Sequence, residues 1–125
     1  MEETARMNIY VTRDSVAAGD YVHAPHAKTF ATPQPLSLAQ AVRLILDAGY
    51  LPSISGGRAT WSVASGLPIA VVAQQWTEPR VLFFAGDEKA LDRSANLLRL
   101  HFSYFAQREP DVVLDVLGRL RLRAL

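Results

Sequence analysis

Residues 58–85 read RATWSVASGLPIAVVAQQWTEPRVLFFA, and the way this stretch folds decides the architecture. Its opening sets Ala59, Trp61 and Val63 on one side of an extended chain and Arg58, Thr60 and Ser62 on the other, the period of two of a strand. Ser65 and Gly66 supply a hairpin turn. The unbroken apolar first half of residues 69–76 then predicts a central strand covered on both faces. Thr77, Glu78 and Pro79 turn the chain again, into a strand at residues 80–85. Successive strands with short connections predict an antiparallel meander across 58–85.

Working outward, Met7, Ile9 and Val11 alternate with Asn8, Tyr10 and Thr12, which predicts a strand at residues 7–13. A second short strand is expected at 28–32, closed off by Pro33 and Pro35. Between them, residues 14–28 lack any period and carry Gly19, Asp20 and Pro25, the mark of a long irregular excursion. Ser37 and Gln40 form a capping-box pair ahead of Leu38, Ala41, Val42, Ile45 and Leu46, so a helix starts there and Gly49 stops it. Downstream, Asp87 is expected to cap a longer helix carrying a stripe of Leu91, Ala95, Leu98, Phe102 and Phe105. Pro110 restarts the chain into a short helix over 111–117, with Val113, Val116 and Leu117 inward. The tail is open between helix and edge strand, because Gly118 interrupts the pattern and Arg119, Arg121 and Arg123 alternate with Leu120, Leu122 and Ala124. The expected fold class is α+β: an antiparallel sheet of four to five strands packed against two to three helices, in one globular domain over 7–125 behind a disordered leader at 1–6.

Composition bounds the chemistry. The chain has 125 residues, half of them hydrophobic, enough for one real core. Thirteen Lys and Arg against 12 Asp and Glu leave a net charge of +1, so no bulk field points to nucleic acid, an anionic membrane or an acidic substrate. The absence of cysteine excludes disulfides, thiolate catalysis and cysteine-ligated metals. No apolar run approaches the roughly 20 residues of a membrane-spanning helix, and the acidic start at Glu2 and Glu3 is unlike a secretory signal, so a cytoplasmic location is expected.

The sharpest constellation lies in the excursion, where Asp14, Asp20, His23 and His26 share one loop. Imidazole and carboxylate are ligands for zinc or iron, but Pro25 between the histidines opposes a helical face aimed at one ion, so no metal site is assigned. The carboxylates read equally as Asx turns holding loop amides. Ser53, Ser55 and the Gly56–Gly57 pair lack the strand–Ser–helix elbow of a hydrolase and the Lys-Ser or Lys-Thr end of a phosphate loop. His101 reads as a surface or boundary histidine on the expected long helix. Arg119, Arg121 and Arg123 would share a face only in a strand, and no aromatic platform is interleaved with them. Trp61 and Trp76 are expected to pack in the core.

The segments YVTRDSVAAGD (10–20), Ala24-Pro25-His26, GYLPSISGG (49–57) and AVVAQQW (70–76) resemble small cytoplasmic immunity proteins of bacterial contact-dependent growth inhibition systems. That resemblance implies a non-enzymatic protein, without cofactor, that binds and neutralises one cognate toxin domain. Immunity surfaces vary with the toxin they meet, so no family residues are carried over. The residues expected to contact such a partner are Asp14, Asp20, Tyr21, His23 and His26, the polar and aromatic members of the loop. Because toxin-plugging inhibitors that mimic nucleic acid are acidic and this chain is near neutral, either the toxin is not strongly basic or Asp14 and Asp20 build a local acidic patch. The alternative is a small enzyme or ligand-binding domain with a pocket near residues 14–26, recognisable by a polar cavity containing His23 or His26. A third reading, a nucleic-acid accessory protein using Arg119 to Arg123, predicts binding that weakens steeply with added salt.

Overall fold

The computed structural model describes residues 7–33, 36–82, 91–94 and 96–124. Strands β1 (Met7–Arg13) and β2 (Lys28–Thr32) lead into helix α1 (Leu38–Asp47); β3 (Thr60–Ala64), β4 (Pro68–Ala73), β5 (Arg80–Val81), β6 (Arg93–Ser94), β7 (Leu97–Tyr104) and helix α2 (Pro110–Ala124) follow. The strands form one seven-stranded sheet in the order β2-β1-β7-β3-β4-β5, with β6 also on β7. The fold is therefore α+β, and the meander β3-β4-β5 is present, but the sheet is mixed rather than antiparallel: β1 and β7 run parallel, Asn8 opposite Leu97 and Thr12 opposite His101. Leader residues 1–6, the cap Asp87 and the end of the expected strand at 83–85 lie outside the described residues.

Residues 97–104 correct the expected long helix. LLRLHFSY, with the Phe105 that follows it, carries two periods at once: Leu98, Phe102 and Phe105 fit a helical stripe, while Leu98, Leu100 and Phe102 fit a strand face. On a helix Leu100 would point about 200° away from Leu98. In the sheet all three are buried, with Arg99, His101 and Ser103 on the other face. The strand wins because β7 completes ladders on both sides, to β1 and to β3, satisfying backbone groups that both strands would otherwise leave open.

Helix α1 forms where the capping pair places it. The Gln40 amide donates to Ser37 Oγ at 3.1 Å, and the Ser37 amide donates to Gln40 Oε1 at 2.9 Å. Gly49, at φ 73°, closes the helix: its amide donates to the Leu46 carbonyl and the Tyr50 amide to that of Ile45, the paired bonds of a Schellman end. The buried side of α1, Ala41, Val42 and Ile45, joins Ile9, Val11, Leu98, Phe102 and Trp61 in the main core. Strand β4 is buried on both faces, as its apolar run predicts. Val71, which alternation puts on the face away from α1, and Val113 of α2 are buried outside the main cluster, and α2 packs on β4 and β3. Helix α2 thus covers the second face over the meander.

The tail resolves as helix. Gly118 sits inside α2, and Arg119 donates to Asp115 one turn back. A helix does not give residues 119, 121 and 123 the one-sided row that a strand would, since positions two apart on a helix lie about 200° apart around its axis. Val113 is inward as expected, but Val116 is exposed; the inward side is Pro110, Val113, Leu114 and Leu117. Trp61 lies in the core, its ring 4.8 Å from that of Tyr104, whereas Trp76 is half-buried beneath the Arg80 guanidinium at 4.2 Å. Among the described residues no helix is long and apolar enough to cross a membrane.

Candidate functional site

The excursion between β1 and β2 is more ordered than its sequence suggests, containing a short 3-10 helix, Ala18–His23. Its base is locked by the last residue of β1. Arg13 Nη1 and Nη2 donate to the two carboxylate oxygens of Asp20 at 2.7 and 3.2 Å, a bidentate pair, and Nη1 also donates to the Asp14 carbonyl. The Val16 amide donates to Asp20 Oδ2 at 3.0 Å, so Asp20 ties the loop back onto the amide four residues before it as well as forming an ion pair. The Arg13 bonds first, and then the Val16 amide, hold the Asp20 carboxyl down to about 2. Arg13 Nε is buried without a partner.

Two further ties fix the far limb. The His26 ring, 7% exposed, lies with Nε2 3.0 Å from Ser15 Oγ and 3.6 Å from Asp20 Oδ2. The Tyr50 hydroxyl donates to the His26 carbonyl at 2.7 Å, delivered there by the Schellman end of α1. Burial pushes the Tyr50 phenol up to about 12. The Tyr50 ring contacts Phe30 and Phe102 edge-on or tilted, with the Arg13 guanidinium 5.9 Å from its centroid. At the tip Tyr21 and Val22 are 66% and 78% exposed, and His23 beside them is exposed.

The candidate residues therefore separate into three places. Asp20 and His26 meet at the base of the loop. Tyr21 and His23 lie at its tip. Asp14 turns back onto the sheet, accepting from the Tyr104 amide at 2.9 Å and meeting His101 Nε2 at 3.0 Å. The other ring nitrogen, His101 Nδ1, is 2.7 Å from Thr12 Oγ1. This Thr12–His101–Asp14 chain stands on the second face of the sheet, away from α1, where β1 and β7 run side by side in register. A cavity of about 200 Å3 opens beside it, lined by Tyr10, Thr12, Ser65, Asp92, Arg99 and His101. Neither His23 nor His26 lines that cavity.

Sequence reasoning missed Arg13, Tyr50, Val22, Thr12 and His101. Arg13 and Tyr50 had no signal beyond their neighbours, because what matters is the partner each reaches. His101 reads from sequence as a helix-surface residue, and only the strand period of 97–104 sets it opposite Thr12. Among the described residues no group of three or more His, Asp or Glu is arranged to hold a metal ion. Compared with models of known families, with curated proteins and with solved structures, the chain matches none.

Proposed function

We propose that this chain is an immunity-type protein that acts in the bacterial cytoplasm, binding one cognate toxin domain and neutralising it by direct protein–protein contact. The observation that carries this reading is the contrast within the excursion: a base pinned by Arg13, Asp20, His26 and Tyr50 holds up a tip where Tyr21 and Val22 stand in solvent. A large apolar and an aromatic side chain offered on a preorganised loop suit a binding anchor, since little ordering entropy is lost on docking. Asp14 and Asp20 are engaged by His101 and Arg13, so recognition here works through the tip rather than through an acidic patch, in keeping with the net charge of +1. In this proposal Asp14, Asp20 and His26 hold the surface, and Tyr21 and His23 meet the partner.

The test is affinity capture from the protein's own cells with the wild-type chain and with Tyr21→Ala and Val22→Ser as baits, followed by titration of the recovered protein. A hot-spot tip predicts at least a thirtyfold weaker Kd for Tyr21→Ala, corresponding to the roughly 2 kcal/mol that defines such residues. Equal affinity in both variants, or recovery of no protein partner, would overturn the proposal.

A further inference from the structure

The chain Thr12–His101–Asp14 has the connectivity of an activated nucleophile. A carboxylate only accepts, so with Asp14 Oδ1 at 3.0 Å the proton on the neutral ring lies on Nε2. Nδ1 is then the acceptor, and at 2.7 Å it takes the hydrogen bond of the Thr12 hydroxyl. The order is hydroxyl, base, orienting carboxylate, and the carboxylate is itself held by the Tyr104 amide at 2.9 Å. Thr12 and Asp14 stand two residues apart at the end of β1, His101 comes from β7 near the other end of the sequence, and the parallel β1–β7 register with the turn after Arg13 brings them together. Thr12 and His101 both line the 200 Å3 cavity, and so does Arg99, which lies two residues before His101 on the same strand face. Arg99 Nη1 also donates to Asp92 and Ser94, which fix the guanidinium on that wall.

We infer that this face of the sheet is an acyl-transfer site that hydrolyses small carboxylic esters, with Thr12 as nucleophile, His101 as general base and acid, Arg99 as the charge facing the oxyanion, and Asp14 as a positioning residue. Thr12 Oγ attacks the ester carbonyl carbon as His101 Nδ1 takes the hydroxyl proton. The tetrahedral oxyanion forms toward Arg99. Collapse breaks the bond to the leaving alcohol, which departs with the proton from His101, and leaves the acyl group on Thr12. Water then attacks the acyl carbon, giving its proton to His101; the carboxylic acid leaves and Thr12 Oγ recovers that proton. No reactant beyond ester and water is needed. The cavity is smaller than the roughly 300–1,000 Å3 of ordinary ligand pockets, which restricts the acyl group to a short one. This inference is independent of the partner proposed for the loop tip.

The test is turnover of p-nitrophenyl acetate and p-nitrophenyl butyrate by the 125-residue chain, beside Thr12→Val, Thr12→Ser, His101→Gln and Asp14→Asn. Thr12→Val keeps the shape and removes only the hydroxyl. The site predicts that Thr12→Val and His101→Gln lower kcat at least a hundredfold, that Thr12→Ser retains turnover, and that Asp14→Asn lowers kcat with KM unchanged. Intact-mass and peptide mapping during acetate turnover are expected to find one acetyl group on Thr12. Equal rates in wild type and Thr12→Val, turnover no faster than free imidazole gives, or an acetyl group on another residue would overturn the inference and leave the chain as a cross-strand surface network. Should Thr12→Val fail to fold, the Thr12→Ser rate and the mapped adduct decide.

Discussion

Tyr50→Phe isolates one bond between α1 and the loop. The substitution leaves the ring, so its contacts with Phe30, Phe102 and the Arg13 guanidinium persist, and removes only the hydroxyl that donates to the His26 carbonyl at 2.7 Å. A hydrogen bond of this kind contributes about 1 kcal/mol net. That corresponds to a roughly fivefold larger opening equilibrium for the loop and, for a chain of this size, a melting temperature lower by about 4 °C. Hydrogen exchange of peptides spanning residues 14–27 reads the first quantity, and thermal unfolding the second. The phenol adds a signature in alkali. Because burial raises the Tyr50 group from 10.0 to about 12, the folded state favours the protonated phenol; stability is whole below pH 10 and declines as the pH rises through about 12. In Tyr50→Phe that contribution to the alkaline decline disappears. Unchanged exchange across 14–27 together with an unchanged melting temperature would refute the idea that α1 pins the loop through this residue.

Acid gives the mirror case at Asp20. Its lowered carboxyl contributes stability that is fully present above pH 3.8 and lost as the pH falls through about 2, so the stability gap between wild type and Asp20→Asn seen at pH 7 closes over that window in a circular dichroism titration. Phe102→Ala in β7 removes a fully buried ring from the core and is expected to cost about 3–5 kcal/mol in urea unfolding; a loss below 1 kcal/mol would contradict its place in the core. Gly118→Ala is expected to stabilise α2 by about 0.5–1 kcal/mol, because an added Cβ meets only Leu82 Cδ2 at an ordinary 3.8 Å. A destabilised Gly118→Ala chain would argue against a helical tail.

What the sequence made legible was whatever is settled within a few residues. The Ser37–Gln40 cap, the Gly49 stop, the alternation at 7–13 and the turns of the meander each follow from near neighbours, and each is where it was expected. Residues 97–104 were not legible in the same way, because Leu98 and Phe102 satisfy two periods at once and the choice belongs to the ladders on either side. The tail was undecided for a related reason: Gly118 weakens a helix locally, while the inward side of Pro110, Val113, Leu114 and Leu117 rewards it through packing. For the site, the loop itself was found, but its internal division was not. Nothing near Asp14 in sequence says that it turns toward His101 while Asp20, in the same loop, turns toward Arg13.

The parallel pairing of β1 with β7 also has a meaning in time. Thr12 meets His101 across 89 residues of chain, so a ribosome adding about 5–20 residues per second needs roughly 4–18 s after finishing β1 before its partner strand even exists. Throughout that interval the nascent β1–β2 hairpin carries Ile9 and Val11 with one open edge and without Leu98 and Phe102 of β7 beside them. Translation that stalls short of residue 97 would release a fragment with a sticky flank, and cellular quality control, rather than the finished protein, would decide its fate.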